Sequence, residues 1–396
     1  MKQKLKTYIL HKFQKRVLKQ KEYFGMDSIK ELKKILKQEK PKRIFLVTNK
    51  NSYKTSGAKT AIDSLLNEYE VIHFQEFEIN PKLPDIERGI EIFKKNKCDL
   101  VIAIGGGSSI DIAKSINLFA SNIDTPTEYL QKTKNIEKKG SILIVIPTTS
   151  GSGSEATTFA VIYSEKIKAS IDHKFLLPDY AIIDPQFTFS LPKYITACTG
   201  MDALSQGIES YWCVNSTEES KKYAKKAIKL AINNLSLTTN NPTKESRVAM
   251  SKAANLAGKA INITRTTAPH AISYPITAYF NIPHGHAVGL TLPQILIYNS
   301  ETTEEDTLDK RGADYVKKTI KEIVNLIGAE SVEDASNKIK DLMIEIGLKR
   351  KLSDLGIKSD EDIDLIIKRG FNPSRVNNNP RRLTKESLLK LLIEIK

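Results

Sequence analysis

Three of the six histidines in this 396-residue chain, His270, His284 and His286, fall in one stretch, RTTAPHAISYPITAYFNIPHGH, from Arg265 to His286. Neutral imidazole is the commonest protein ligand for first-row divalent metals. Two histidines fourteen residues apart, the second in a Pro-His-Gly-His turn, therefore suggest a metal site closed by a loop. Structural histidines satisfied by a helix end and a turn are the alternative. Upstream, GMDALSQGIES sets Asp202 and Gln206 four residues apart, so on a helix both side-chain oxygens emerge on one face. A carboxylate, an amide oxygen and two imidazoles make a mixed donor set suited to Fe(II), Zn or Mn. Asp202 could equally cap a helix that starts after Gly200, and the sequence leaves both readings open.

Two turns offer a place for a phosphate-bearing cofactor. Gly105, Gly106, Gly107, Ser108, Ser109 and, after Ile110, Asp111 follow the apolar run LVIAI and open the helical pattern IDIAKSINLFA. Glycines at that point let backbone N–H groups approach a phosphate, with the positive end of a helix dipole behind them. The GxGxxG spacing of the usual dinucleotide fingerprint is absent. One unit later SILIVI ends in PTTSGSGSE, whose Thr148, Thr149 and Ser152 are expected to form a second wall of the same cleft.

The elements that must carry these turns are legible as alternation. KRIFLV, EVIHF, LVIAI, SILIVI and AIID read as apolar strands separated by helical patterns, which predicts a parallel sheet covered on both faces. Beyond Pro192 strand signals fade and helical patterns run to the C-terminus. The expected organisation is a basic extension over 1–21, a nucleotide-binding α/β domain over 22–191, and a helical metal- and substrate-binding domain over 192–396. No stretch approaches the ~20 consecutive apolar residues of a membrane span, so no stable membrane insertion and a cytoplasmic location are expected. Cys98, Cys198 and Cys213 lie far apart without CxxC spacing, which indicates neither a disulfide framework nor a thiolate zinc site.

The formal charge of +15 is local: residues 1–60 hold 18 basic and 4 acidic residues, a net of +14. A nearly neutral body argues against nucleic-acid binding. In the arm, Tyr8, Ile9, Phe13, Val17 and Leu18 fall near helical spacing, which fits a solvated extension or a basic amphipathic helix.

GGGSSID, PTTSGSGSE, GMDALSQGIES, the His270 and His284 pair and NNPRRLT, in this order, resemble the iron-containing (group III) alcohol dehydrogenase family, whose domain plan is shared with dehydroquinate synthase. The resemblance implies a parallel-sheet α/β domain, an all-α C-terminal domain, a cleft metal, a homodimer, and hydride transfer between NAD(P)H and an aldehyde or alcohol. It implies Asp202, Gln206, His270 and His284 as ligands of Fe2+ or Zn2+, with Gln206 in place of the histidine common there. Tyr274 stands where many relatives have another histidine near the substrate, so Tyr274 or His286 is expected to take over the proton relay. Asn49, in VTNKNS, stands where NAD-preferring relatives often have an acidic residue, which makes NADPH as well as NADH an expected cofactor.

DALSQ, TRTTAPHAISYPIT, IPHGHAV and FNPSRVNNNPRRLT further resemble the phosphonoacetaldehyde reductase (2-hydroxyethylphosphonate dehydrogenase) branch. A phosphonate dianion needs paired cationic donors, and arginine's fork matches its oxygens. Arg265 and Arg375 are the first candidates and Lys168 and Arg382 the next, while Arg381 is expected to support the fold. The alternatives are a small alcohol or diol dehydrogenase of the same family and a metal-dependent sugar-phosphate cyclase related to dehydroquinate synthase.

Overall fold

The computed structural model describes residues 20–164 and 167–396, so the expected basic arm, up to residue 19, lies outside the described residues. Eight strands run through the first half: β1 (Lys21–Phe24), β2 (Arg43–Thr48), β3 (Glu70–Phe74), β4 (Leu100–Gly105), β5 (Ile142–Pro147), β6 (Phe159–Ser164), β7 (Ile167–Asp172) and β8 (Tyr180–Ile183). Six of them form one parallel sheet in the order β1-β8-β5-β4-β2-β3, while β6 and β7 pair as an antiparallel hairpin. Between the strands lie α1 (Glu31–Glu39), α2 (Lys50–Thr55), α3 (Ala58–Leu66), α4 (Leu83–Lys95), α5 (Gly107–Ala120) and α6 (Pro126–Leu130).

The central strands are continuous apolar runs because both of their faces are covered. Ile44, Leu46, Ile102, Ile104, Ile144 and Ile146 pack with Leu32 and Leu36 of α1 and Ile62 of α3. The alternate residues Phe45, Val47, Val101, Ala103 and Val145 pack with Ile86 and Phe93 of α4 and Ile112 and Ile116 of α5. Each such aliphatic side chain contributes ~1.5–3 kcal/mol of transfer free energy.

The second half is helical: α7 (Lys193–Trp212), α8 (Glu218–Asn240), α9 (Lys244–Thr264), α10 (Ala268–Phe280), α11 (His284–Ser300), α12 (Ala313–Ile327), α13 (Val332–Glu345), α14 (Asp360–Gly370), α15 (Pro373–Val376) and α16 (Lys385–Glu394). Met201, Leu204 and Ile208 of α7 share one core with Ile228 and Leu235 of α8, Met250 of α9, Ile272 of α10 and Leu290 of α11. Helix α7 is thus wrapped by its neighbours, so polar residues on it face the interior. The fold class expected from the sequence, a parallel-sheet α/β unit followed by an all-α unit, is the one observed.

Two elements were not foreseen. KEYF of β1 opens at Lys21, the last residue assigned to the basic arm, and pairs with β8 from Lys21↔Tyr180 to Phe24↔Ile183. Four residues, two of them charged, give no strand periodicity. The β6–β7 hairpin occupies the stretch between PTTSGSGSE and AIID, and it supplies a side chain to the site.

Chain order fixes where a ligand can lie. After β2 the chain adds β3 on one side, then returns to add β4 and β5 on the other, so the order reverses between β2 and β4. Crevices outside the carboxyl ends of strands at such a reversal are where open α/β sheets bind ligands. Thr48 pairs with Ile104, and Gly105 with Pro147, so the segments after β2, β4 and β5 emerge side by side. Among the described residues no helix is long and apolar enough to cross a membrane.

Candidate active site and metal centre

Asp202, Gln206 and Glu209 recur at i, i+4 and i+7 along α7, one face of the helix. Asp202 lies well inside that helix, whose N-cap is Pro192, so it is not a cap. His270 stands in the first turn of α10, and His284 is the first residue of α11 with Pro283 as N-cap. Pro-His-Gly-His is therefore a helix start, reached through a short non-helical connection over 281–283 in which Pro283 is extended.

One ligand atom each from Asp202, His270 and His284 lies within 4.8 Å of the others. His270 Nε2 is 3.3 Å from Asp202 Oδ1, and the two imidazole centroids are 5.2 Å apart. Asp202 is 6% and Gln206 3% exposed. Among the described residues Asp202 Oδ1 and Gln206 Oε1 both lack a hydrogen-bond partner. A buried acceptor left in this state costs ~1–3 kcal/mol, more for a carboxylate, unless a cation takes it. The residues present therefore fit a divalent ion: two orphaned oxygens and two imidazoles, a donor set within reach of Zn or Fe(II).

The electrostatics agree. Burial and the Lys168 ammonium push His284 well below the usual imidazole range, which keeps it in the neutral form that ligates. Burial alone would push Asp202 up, but the adjacent His270 and the Lys168 ammonium hold it below the usual carboxylate range. His270 is depressed by burial yet pulled up to about 10 by Glu209 and Asp202. Two carboxylates flanking one buried imidazole make this a pocket that attracts positive charge.

The cofactor candidates divide into an accessible rim and a buried support. A Cβ on Gly106 would meet Thr149 Cγ2 at 3.2 Å, and one on Gly107 would meet Ser152 Oγ at 2.7 Å, so glycine is what lets the two turns approach. Gly106, Gly107, Ser108, Thr149 and Ser152 remain partly accessible around the N-terminus of α5. Gly105 carries a φ of +149° and sits against Ser109. Ser109 and Thr148 are buried, and Thr148 Oγ1 has no partner among the described residues. Asp111 departs from its expected role: it accepts from Ser154 Oγ at 2.5 Å and from Val161 N at 3.0 Å, bracing the second turn and the hairpin. Asn49 Oδ1 accepts from Asn51 N at 3.1 Å and Ser52 N at 3.3 Å, capping α2.

The second turn also reaches the metal helix. Gln206 Nε2 donates to Ser152 O at 3.4 Å, and Gly151 presses against Thr199 of α7. The glycine cradle and the donor set thus share a wall.

A cationic cluster closes the other side. Lys168 Nζ, from β7, lies 3.8 Å from the centroid of the Tyr274 ring, and that ring stacks on His284 at 6.1 Å. Arg375, on α15, acts electrostatically on the Tyr274 phenol, while its Nη1 donates to Ser374 O at 3.0 Å. Burial would push the Tyr274 phenol up, yet Lys168, Arg375 and His270 bring it down to about 8. Among the described residues neither Lys168 nor Arg375 has a carboxylate within ion-pair distance, and burial together with Arg375 depresses the Lys168 ammonium.

Three other candidates are placed elsewhere. Arg265 is committed to Asp172, with Nε at 2.8 Å and Nη2 at 2.5 Å from Oδ2, and it also donates to Ile261 O. Arg382 is exposed; its backbone N–H donates to Asp306 O and its carbonyl accepts from Tyr298. His286 is buried with both nitrogens engaged, Nδ1 at 3.2 Å from Tyr194 Oη and Nε2 at 2.9 Å from Lys349 O. Arg265 and His286 thus have their polar atoms engaged by protein partners, and the Arg382 side chain lies on the surface.

Sequence reasoning missed Glu209 and Ser273. Glu209 continues the Asp202–Gln206 stripe at i+7, a signal present in the sequence; Ser273, between the two histidines, carries no distinguishing spacing.

The chain matches the family model described as iron-containing alcohol dehydrogenase over residues 20–185. Its second half matches the model for the C-terminal part of the Fe-containing alcohol dehydrogenase family over residues 196–395. It is 32% identical over 347 residues to long-chain-alcohol dehydrogenase 1 of Geobacillus thermodenitrificans, covering 85% of each chain. It is 30% identical to the NADPH-dependent butanol dehydrogenase of Clostridium saccharobutylicum, covering 93% of this chain and 94% of the relative. The crystal structure of sulfoacetaldehyde reductase from Bifidobacterium kashiwanohense in complex with NAD+ superposes with a TM-score of 0.85, 31% identity and coverage of 96% of this chain and 97% of that one.

Proposed function

Because the chain belongs to the iron-containing alcohol dehydrogenase family and is an NAD(P)-dependent alcohol dehydrogenase or aldehyde reductase, we propose that it reduces a short aldehyde bearing an oxoanion, phosphonoacetaldehyde, to 2-hydroxyethylphosphonate. The observation that carries this reading is the convergence of Lys168 and Arg375, without acidic partners among the described residues, on Tyr274 beside His284. Two facing cations repel each other; an anion between them reverses the sign of that interaction. A neutral alcohol would leave it uncompensated.

Asp202, Gln206, His270 and His284 would hold the metal. A divalent ion in that set supplies Lewis acidity toward a carbonyl oxygen, and reduced nicotinamide supplies the hydride. The chain's own residues do the rest. Lys168 and Arg375 grip the anionic end and so fix which way the aldehyde points. Tyr274 Oη, under the influence of Lys168 and Arg375, holds the proton that the nascent alcohol oxygen takes up. Backbone N–H groups at Gly106 and Gly107 receive the cofactor diphosphate at the start of α5. With no carboxylate at Asn49 to repel a 2′-phosphate, both NADH and NADPH are admitted.

A second reading follows from the similarity to the sulfoacetaldehyde reductase: a sulfonate is also a tetrahedral oxoanion, with one charge fewer than a phosphonate dianion. The test is oxidation of reduced cofactor by metal-reconstituted protein with phosphonoacetaldehyde, sulfoacetaldehyde and propanal in parallel. The proposal expects kcat/KM for phosphonoacetaldehyde to exceed that for propanal by about 100-fold, the equivalent of ~3 kcal/mol from two charge-assisted contacts. A larger value for sulfoacetaldehyde would move the substrate to the sulfonate, and a preference for propanal would discard the oxoanion altogether.

A further inference from the structure

Which nitrogen of each histidine faces Asp202 is decided by two side chains outside the donor set. Glu209 is completely buried, and both of its oxygens are engaged. Its Oε2 accepts from Thr267 N at 2.6 Å and from Thr267 Oγ1 at 2.9 Å, and its Oε1 lies 2.5 Å from His270 Nδ1. Thr267 is itself oriented by Trp212, whose Nε1 donates to Thr267 Oγ1 at 2.9 Å. A carboxylate has only acceptors to offer, so the proton of this contact sits on His270 Nδ1. The Nε2 atom is thereby left to point at Asp202.

The same accounting holds for the second imidazole. Ser273 has one hydroxyl hydrogen, and it goes to His270 O at 2.7 Å. Toward His284 Nδ1, 3.2 Å away, the Ser273 oxygen can then only accept, so His284 Nδ1 carries the proton. Both rings are turned the same way by independent partners, one on α7 and one on α10.

We infer that Glu209 and Ser273 are positioning residues that lock His270 and His284 in the Nδ1–H form and so present both Nε2 lone pairs to one divalent cation. The inference rests on the reading of this site as a metal centre. Burial alone makes Glu209 an expensive residue: a carboxylate taken completely out of water is a poor core residue unless its charge is used. A carboxylate on the far nitrogen also raises the basicity of a ligating imidazole, and loss of such partners lowers metal affinity roughly 10- to 100-fold.

The test uses the full-length chain, stripped with a chelator and titrated with Zn2+ against a chelating dye. Glu209→Gln presents an N–H group to either Thr267 N or His270 Nδ1, both of which are donors, and should raise the Zn2+ Kd by ~10- to 100-fold. Ser273→Ala should raise it by ~10-fold. Melts of the metal-free variants, taken alongside, separate lost affinity from lost fold. In proton spectra of the Zn2+-loaded wild type, the His270 Nδ1–H held by Glu209 should give a far-downfield, slowly exchanging signal that Glu209→Gln loses. Wild-type Zn2+ affinity in Glu209→Gln with that signal unchanged would overturn the inference. A wild-type chain that retains no Zn2+ would overturn it together with the metal-site reading, whereas failure of the aldehyde panel alone leaves it standing. If Glu209→Gln unfolds, Thr267→Val, which loosens Glu209 without removing it, should still weaken Zn2+ binding, and an unchanged Kd there would overturn the inference.

Discussion

Arg265 and Arg375 are both single arginines on the side of the chain that carries His270, and their types alone do not say which of them reads an anion. Geometry does. Arg265 stands at a positive φ of 67° after α9, with its fork on Asp172 and its guanidinium over the Phe159 ring at 5.1 Å. Lys168 lies over the Tyr274 ring and Arg375 donates to Ser374 O, but among the described residues neither has a carboxylate partner. The choice was not legible in the sequence because Asp172 and Lys168 are brought in by a hairpin whose two strands escaped notice. The Asp202–Gln206 pair was legible, since spacing by four on a helix is a statement about direction. Its continuation to Glu209 was overlooked because a glutamate on a helix reads as solvated until all sides of that helix are known to be covered. At this scale the expected outcome is a contrast. Tyr274→Phe should lower kcat for aldehyde reduction by ~100-fold or more without moving the melting temperature. Arg265→Met should leave KM for the oxoanion aldehyde within about threefold and lower stability by less than ~1 kcal/mol, as for other half-exposed ion pairs. Steady-state kinetics and thermal melts of the two variants check both.

Short elements fasten the two halves of the chain to each other. Glu22 on β1 lies 2.7 Å from Lys259 Nζ and 3.6 Å from Lys252 Nζ of α9, and accepts from Asn255 Nδ2 at 3.0 Å. Burial pushes its carboxyl up, but Lys259, Asn255 and Lys252 outweigh that and hold it below the ordinary value. A folded-state value lower than the unfolded one, ~4.3, means that the contribution is present above about that pH and is lost as pH falls through the folded value. Glu22→Gln should therefore cost about 1 kcal/mol at neutral pH, and the gap between its urea midpoint and that of the wild type should close in acid. The second fastening is backbone on backbone. Gly153, at a φ of +60°, approaches Gly258 of α9 so closely that a Cβ on Gly258 would lie 2.5 Å from Gly153 O. No side chain can move aside there, so Gly258→Ala should destabilise the chain by ~1–3 kcal/mol and, by shifting the turn that carries Ser152, raise KM for the nicotinamide cofactor. Wild-type cofactor KM in that variant would show that the turn tolerates the shift. PTTSGSGSE announced a ligand-facing turn by its hydroxyls, but the need of Gly153 for a partner glycine a hundred residues away was invisible without the packing.

At the scale of the molecule, the sheet and the helical half have separate tasks. Strand alternation and the uninterrupted apolar runs made the parallel sheet legible, and the fading of strand signals beyond Pro192 made the helical half legible. β1 escaped because it is four residues long and pairs with a strand more than 150 residues away. The order reversal between β2 and β4 sets a cofactor cradle at the sheet's carboxyl edge. The wrapped helix α7 holds two buried oxygens, and β7 and α15 bring Lys168 and Arg375 to Tyr274, whose ring stacks on His284. An aldehyde with an anionic end would span those two features. The measurement that bears on this most directly is the ratio of kcat/KM for phosphonoacetaldehyde to that for propanal, taken in the wild type and in the Lys168→Met, Arg375→Met double variant. A ratio that collapses by about 100-fold while propanal turnover persists is the predicted result, in line with two charge-assisted contacts of ~1.5 kcal/mol each. A ratio that stays at its wild-type value would contradict it, since the anion would then be read by groups other than these two.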